Sequence, residues 1–507
     1  MKARKLAEPT SWNFFAAIHG IDNIRWVWDL YKITGSGDAD PGPGDTATYI
    51  DQCQHQSWYF LPWHRGYLLA LENVLRDEIG KLGGPSDTWA LPYWNYFAAG
   101  QNVLPPAFRS KNWPDRGDNP LFVEQRWGVL SGSTPLDVGS VTHLNAMGDP
   151  EFTIPVGSGN NGFGGPETGF SWDGQQSGEI EDDPHNIIHV LIGGRHGSQT
   201  FPPGTPADGI PLVGLMSNPA LAALDPIFYL HHCNLDRLWE SWNRQPPRGS
   251  GGQPADWQNP TDPRWLAGPV STGERAFAMP NPDGSKWDYA PSGVLDIGAL
   301  GYQYDDLTPG AIVTPPVSMA ARMVSLGIPA AVTVTAGGGG VKKQPEVEMV
   351  GASEGGLSLA GSGAVSTSVR MEPEARDRLT MSLGGAAPEG KAPDRVFLKI
   401  ERVTGLLDAV IFRVYVGAVR SATASAEPAN LVGSVSLFGV SQASTNTGMH
   451  AGNGKTFTFE ITNIVDKLYL SGDLDADRLS VDFVPFEEIA EAARIRIGRV
   501  SVFRQSE

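Results

Sequence analysis

Cysteine is nearly missing from this 507-residue chain: Cys53 and Cys233 are the two present, too few for disulfides to organise a fold of this length. Missing too is any apolar run of about 18 residues, the length a membrane-crossing helix needs. Residues 1–8 carry Lys2, Arg4 and Lys5 without the apolar core of a secretory leader. The expectation is a soluble, cytoplasmic chain with no membrane contact. Basic blocks are absent as well. With 38 Lys and Arg against 56 Asp and Glu, a formal net charge of -18, nucleic acid and anionic membrane are disfavoured as partners. No repeat of fixed period appears, and the length gives a prior of roughly three domains.

What the chain does have is histidine placed in patterns. His55 and His64 are nine residues apart among Trp58, Tyr59, Phe60 and Trp63, with Cys53 just before them. His185 and His189 are four apart, so on a helix they project from one face and can clamp one ion. Asp183 and Pro184 suit an N-cap and a first helical position, which predicts a helix beginning at that pair. A third stretch runs from Asp225 and Pro226 through Phe228, His231, His232, Asn234, Asp236 and Arg237. Neutral imidazoles with neither thiolate nor carboxylate among the ligands tilt the metal toward copper or zinc. His143, His196 and His450 have no ligand-like context and read as structural.

These stretches resemble the two copper signatures of the tyrosinase and polyphenol oxidase family of coupled binuclear (type 3) copper proteins. The likeness is to bacterial members with a plant-type C-terminal domain. The resemblance implies two copper ions with O2 as co-substrate, His19, His55 and His64 holding one copper and His185, His189 and His232 the other. His231 would stand beside the second copper. It also implies oxidation of small phenols: ortho-hydroxylation of monophenols and conversion of o-diphenols to o-quinones. A catechol oxidase or o-aminophenol oxidase without the hydroxylating step remains open, as does a hemocyanin-like O2 carrier. The Cys-x-His spacing matches fungal members and implies a thioether between Cys53 and His55, with Cys233 free. Glu181 and Asn186 match the carboxylate and amide that share an ordered water over the second copper, the other reading being an acidic turn (Glu179, Glu181, Asp182, Asp183) at a helix N-terminus, and Pro219 matches a residue that gates the cleft or marks a plain turn. Phe60 and Phe228 read either as packing on ligand rings or as ordinary core. Asp236 reads as a carboxylate orienting a ligand N–H or as an ion-pair partner.

Periodicity adds a frame. Apolar spacing predicts a helix over 12–31 broken at Gly20, one from His64 to about Gly80 with Glu72 turned inward, and one over 228–243. Residues 100–180 read as long loops over the core. Residues 295–307 resemble the segment that closes the catalytic part of plant-type enzymes. The expected architecture is a mainly α catalytic domain (1–310) whose four-helix bundle holds the dicopper site, a linker (311–343), and a C-terminal β-sandwich (344–507). The glycine run 337–340 followed by Lys342 and Lys343 is a connector that a protease could reach. The last domain resembles the plant domain that covers the copper pocket, and the loop 438–455, with Met449 and His450 near its tip, is its candidate plug.

Overall fold

Ser11 opens the helical part of the chain. Its hydroxyl accepts from the Phe14 amide at 2.9 Å, satisfying a donor that a helix start otherwise leaves orphaned. Helix α1 (Trp12–His19) follows and ends at Gly20, so His19 stands on its last turn. The structure is a computed structural model; it describes the chain apart from residues 22–23, 34–37, 116, 134, 136–140, 155–160, 171–175, 246–256, 310–318, 327–345, 385–392, 418–429, 446–451, 476 and 507.

Helix α2 (Phe60–Lys81) has 22 residues. After it come α3 (Ile187–Gly193), the short α4 (Pro219–Ala222) and α5 (Ile227–Asn243). The two long helices, α2 and α5, pack against each other as the spine of the catalytic part. A buried ion pair between them, Arg65 Nε to Asp236 Oδ1 at 2.6 Å, carries a desolvation cost that only good geometry offsets. That geometry is supplied: the guanidinium lies 3.9 Å from the Trp239 ring centroid, and Asp236 also accepts from the hydroxyls of Tyr302 (2.8 Å) and Tyr304 (2.5 Å). Gly66 is required where it stands. A Cβ there would lie 2.2 Å from Tyr289 Cζ, and the Tyr289 hydroxyl uses that space to reach the Trp63 carbonyl at 2.8 Å. Glu72 accepts from the Leu91 amide at 3.0 Å and so ties down the segment that follows α2.

Four helical segments bring histidines inward, but they are unequal. Helices α1 and α3 have eight and seven residues, and His55 lies on an irregular segment outside any helix. The predicted helix start at Asp183 and Pro184 holds in the backbone but not in the cap. Asp183 is extended (φ −147°, ψ 116°) and kinks the turn Glu181–Asn186, so that helical backbone resumes after it and runs on into α3. The Asp183 carboxylate is drawn elsewhere: it accepts from the Thr142 hydroxyl and, at 3.2 Å, from the His143 amide. It fastens a loop instead of capping a helix.

The C-terminal part is mostly β. Its main strands are β1 (Glu346–Ser353), β2 (Val365–Met371), β3 (Arg395–Val403), β4 (Ile411–Val416), β5 (Leu431–Ser436), β6 (Lys455–Glu460), β7 (Arg478–Pro485) and β8 (Arg499–Ser506). They form one sheet in the order β5-β4-β7-β2-β1-β8-β3-β6, every pair antiparallel, with Leu398 opposite Val502 and Ile400 opposite Val500 between β3 and β8. A two-sheet sandwich was expected; instead the single sheet curls until its edge strands β5 and β6 touch. Strand twist accumulates from strand to strand, and it brings the two edges of this sheet toward each other. Edge strand β5 rests against α3 and the 181–186 turn.

A helix within the expected linker packs on the C-terminal part. Helix α6 (Met319–Ser325) carries the buried Arg322, whose guanidinium grips Asp466 (2.7 and 3.0 Å) and the carbonyls of Pro393 and Asp394 (2.7 and 2.8 Å). The glycine run 337–340, Lys342, Lys343, Met449 and His450 lie outside the described residues. Among the described residues, no helix is long and apolar enough to cross a membrane.

Candidate metal centre

Two groups of side chains could each hold an ion: His19, Cys53, His55 and His64, and beside them His185, His189, His231 and His232. Within each group the candidate ligand atoms lie within 4.8 Å of one another, and every member is buried. The groups adjoin. The rings of His64 and His232 stack at 4.3 Å and 14°, and those of His55 and His185 are 5.6 Å apart.

Ring orientation is fixed from outside. His19 Nδ1 donates to the Pro219 carbonyl, His64 Nδ1 to the Phe60 carbonyl and His189 Nδ1 to the Met216 carbonyl, each at 2.8 Å. An imidazole that gives its Nδ1 hydrogen to a carbonyl keeps a lone pair on Nε2, which is how such partners prepare a metal ligand. His19 Nε2 and His185 Nε2 are buried with no hydrogen-bond partner, a costly arrangement unless something binds there. Burial pushes His19 down to about 3, and burial reinforced by the neighbouring imidazoles holds His55, His64, His185, His189 and His232 well below the usual histidine range. The rings are therefore neutral donors at neutral pH, and the two sets fit copper. Phe60 and Phe228 both pack on these rings. Phe60 lies 4.6 Å from His64 and 4.8 Å from His185, and Phe228 lies 4.1 Å from His232 and 4.9 Å from His19.

The other sequence candidates distribute unevenly. His231 stacks on His185 at 5.5 Å and 16° and belongs geometrically to the second group. Cys53 Sγ is 3.4 Å from His55 Nδ1 and 3.8 Å from Nε2. Glu181 is buried and accepts the Gln56 amide hydrogen on both oxygens (3.0 and 2.9 Å), while Asn186 faces His185 and Asp182. Burial pushes Glu181 up to about 8, with Lys455 opposing the shift. Asp236, occupied by Arg65, Tyr302 and Tyr304, orients the closing segment and the helix pair, not a ligand N–H.

Sequence reasoning named the loop 438–455 as the candidate plug without singling out the residues at its two ends, and these are what lie across the site. Phe438, in the loop after β5, enters from the C-terminal domain and stacks on His189 at 4.2 Å and 24°, edge-on to His185 (5.6 Å) and His55 (5.9 Å). The buried Lys455 amine donates to the Phe438 carbonyl at 2.8 Å. Around them Ser436 donates to the Asn186 carbonyl (2.7 Å), and Asn218 to Asp408 (2.6 Å). One signal was available: strand alternation sets Lys455 on the same face as Phe457 and Phe459, a charge where apolar residues belong.

A family model for the common central domain of tyrosinase matches residues 9–128 and 142–245. Tyrosinase HcTyr1 of Hahella sp. (strain CCB-MM4) is 30% identical over 99% of this chain and 94% of its own length. The chain belongs to the tyrosinase family. As a member it is a copper-dependent oxidoreductase, and the two histidine groups fit the family's dicopper centre, which works with O2. Chloroplastic polyphenol oxidase B of Solanum lycopersicum is 34% identical over 40% of this chain and 34% of its own length. Among tyrosinase-like folds, latent apple tyrosinase superposes with a TM-score of 0.56 at 20% identity, covering 99% of this chain and 92% of that one. A latent aurone synthase gives 0.53 at 16% identity, covering 100% of this chain and 85% of that one. Residues 346–505 match a second family model, described as a domain of unknown function (DUF7868).

Proposed function

We propose that this chain is a tyrosinase-type phenol oxidase that hydroxylates monophenols and oxidises o-diphenols to o-quinones, held latent by its own C-terminal domain. His19, His55 and His64 hold one copper, and His185, His189 and His232 the other. Bound there, the copper pair supplies the reduction of O2. The chain supplies seating, dryness and proton handling.

The observation that carries this reading is the Phe438 ring against His189. Its stacked contact, 4.2 Å between centroids at 24°, is a favourable geometry for two aromatic rings, and it marks the seat that a phenol ring takes when Phe438 withdraws. Phe60 and Phe228 wall the seat and exclude water. Glu181 and Asn186 are the residues to which this reading gives the phenol's proton, on the match of their registers to the family's carboxylate and amide. Pro219 borders the same cleft, its ring beneath Gly439, where a Cβ would meet Pro219 Cγ at 3.4 Å. The domain 344–507 is the shield, and names of its structural neighbours, latent apple tyrosinase and latent aurone synthase, agree with that role.

Steady-state rates for a monophenol and its matching catechol, on copper-loaded protein freed of the Phe438 ring, test the reading. Both substrates should turn over to quinone. Oxidation of the catechol alone makes the protein a catechol oxidase.

Cys53 should also become covalently joined to His55. The sulfur lies near both ring nitrogens, hence within reach of Cε1 between them. Forming the Sγ–Cε1 bond removes the thiol hydrogen and the Cε1 hydrogen, and O2 accepts both with their electrons, giving hydrogen peroxide. Burial holds the Cys53 thiol well above the usual range, so simple thiolate chemistry is disfavoured. After copper loading in air, the peptide spanning 53–65 should weigh two hydrogens less and resist alkylation at Cys53. A peptide of unchanged mass that alkylates fully rejects the bond.

A further inference from the structure

Three of the proposed ligands take their orientation from backbone carbonyls, and a carbonyl can only accept. His185 is different. Its Nδ1 lies 3.0 Å from Oδ1 of Asn186, and a side-chain amide has an accepting end and a donating end of almost the same shape. Turned over, that amide would donate to Nδ1 and drive the ring hydrogen onto Nε2. Nε2 is the buried, unpartnered nitrogen that must be bare to bind a metal.

Something has to fix which way the amide faces. Asn186 Nδ2 donates to Asp182 Oδ1 at 3.3 Å. Burial raises Asp182 only to about 6, with Lys455 opposing the shift, so it is ionised at neutral pH. An ionised carboxylate accepts and cannot donate. The amide NH2 must therefore face Asp182, which leaves Oδ1 facing His185.

We propose that Asp182 is a positioning residue for the second metal group: through the Asn186 amide it sets the Nδ1–H tautomer of His185. The proposal rests on reading His185 as a copper ligand. It assigns to Asp182 a task distinct from that of Glu181, its neighbour in sequence. Glu181 faces the Gln56 amide, whereas Asp182 faces the amide that touches a ligand ring.

The test is a double-mutant cycle read on copper affinity and on the metal-free protein. Asp182→Asn should weaken copper binding by about 10- to 100-fold against a competing chelator, the usual effect of losing a partner that orients a metal ligand. In the Asn186→Asp background, where a carboxylate accepts from Nδ1 whichever way it turns, Asp182→Asn should leave copper affinity unchanged. Nitrogen-15 spectra of apoprotein labelled at histidine should show His185 gaining hydrogen on Nε2 in Asp182→Asn alone. An equal loss of affinity in both backgrounds, or an unchanged tautomer, overturns the proposal. Asp182 also shares the interface with Lys455, so the substitution is repeated with Lys455→Met. Disappearance of the effect there makes Asp182 a counter-ion and rejects the tautomer role. His185→Ala separates the underlying reading: full copper retention in that variant means His185 is not a ligand, whatever Asp182 does.

Discussion

Phe438→Ala in the full-length chain should raise kcat/KM for a small catechol by about ten- to a hundredfold, with copper content unchanged. The ring is 2% exposed and occupies the seat proposed for substrate, so it acts as a tethered competitor. Burying a phenylalanine side chain is worth about 1.5–3 kcal/mol, and removing that advantage from the closed state shifts the competition by the stated factor. Most of the change should appear in KM, because a plug that must leave first raises the substrate needed without altering the chemistry. Lys455→Met acts in the same direction more weakly, by loosening the carbonyl that carries the ring. An unchanged kcat/KM with copper retained would mean that the ring is not the barrier.

Glu181→Gln should lower monophenol hydroxylation by about 10²–10⁴-fold, the usual worth of general-base help, and lower catechol oxidation far less. A free phenol has a pKa near 10 and arrives protonated, so the hydroxylating path needs an acceptor for that proton. Glu181, pushed up to about 8, has the near-neutral affinity that proton exchange calls for. Asn186→Asp should show the same bias, since it changes the neighbouring polar group without removing a copper ligand. The competing role is visible in the structure. Glu181 grips the Gln56 amide next to His55, and Gln56 sits at φ 55°, a left-handed conformation that a side chain adopts only under constraint. If Glu181 merely holds that turn, the two activities fall together and copper is lost with them. The ratio of rates, measured on protein of equal copper content, separates the outcomes.

Local patterns were legible in the sequence, and long-range ones were not. The nine-residue and four-residue histidine spacings, the break at Gly20 and a helix from His64 to about 80 follow from periodicities of a few residues, and α1 and α2 carry them out. The helical turn that carries His185 does start after Asp183, but the Asp183 side chain does not cap it, because it is drawn to Thr142 and His143, forty residues away in sequence, a pull that no capping rule contains. Asp236 could be read as an orienting carboxylate or an ion-pair partner, and only folding shows it shared among Arg65, Tyr302 and Tyr304. Strand alternation announced a β domain correctly. Whether eight strands make two sheets or one curled sheet depends on pairing across the whole domain, and alternation is the same in both. The loop 438–455 was named as the plug; Met449 and His450 lie outside the described residues, and Phe438 at its base enters the site. Its partner His189 is some 250 residues earlier, and nothing local marks the pair.

The segment from Met216 to Pro219 supplies two carbonyls three residues apart, one turning His189 and the other His19. These rings belong to different histidine groups, so a single short stretch of main chain keeps both in alignment. What the rings use at position 219 is the carbonyl, which every amino acid possesses, and the side chain is left out of that duty. If Pro219 gates the cleft as proposed, its side chain can be exchanged to alter substrate preference while the carbonyl that aligns His19 remains in the main chain.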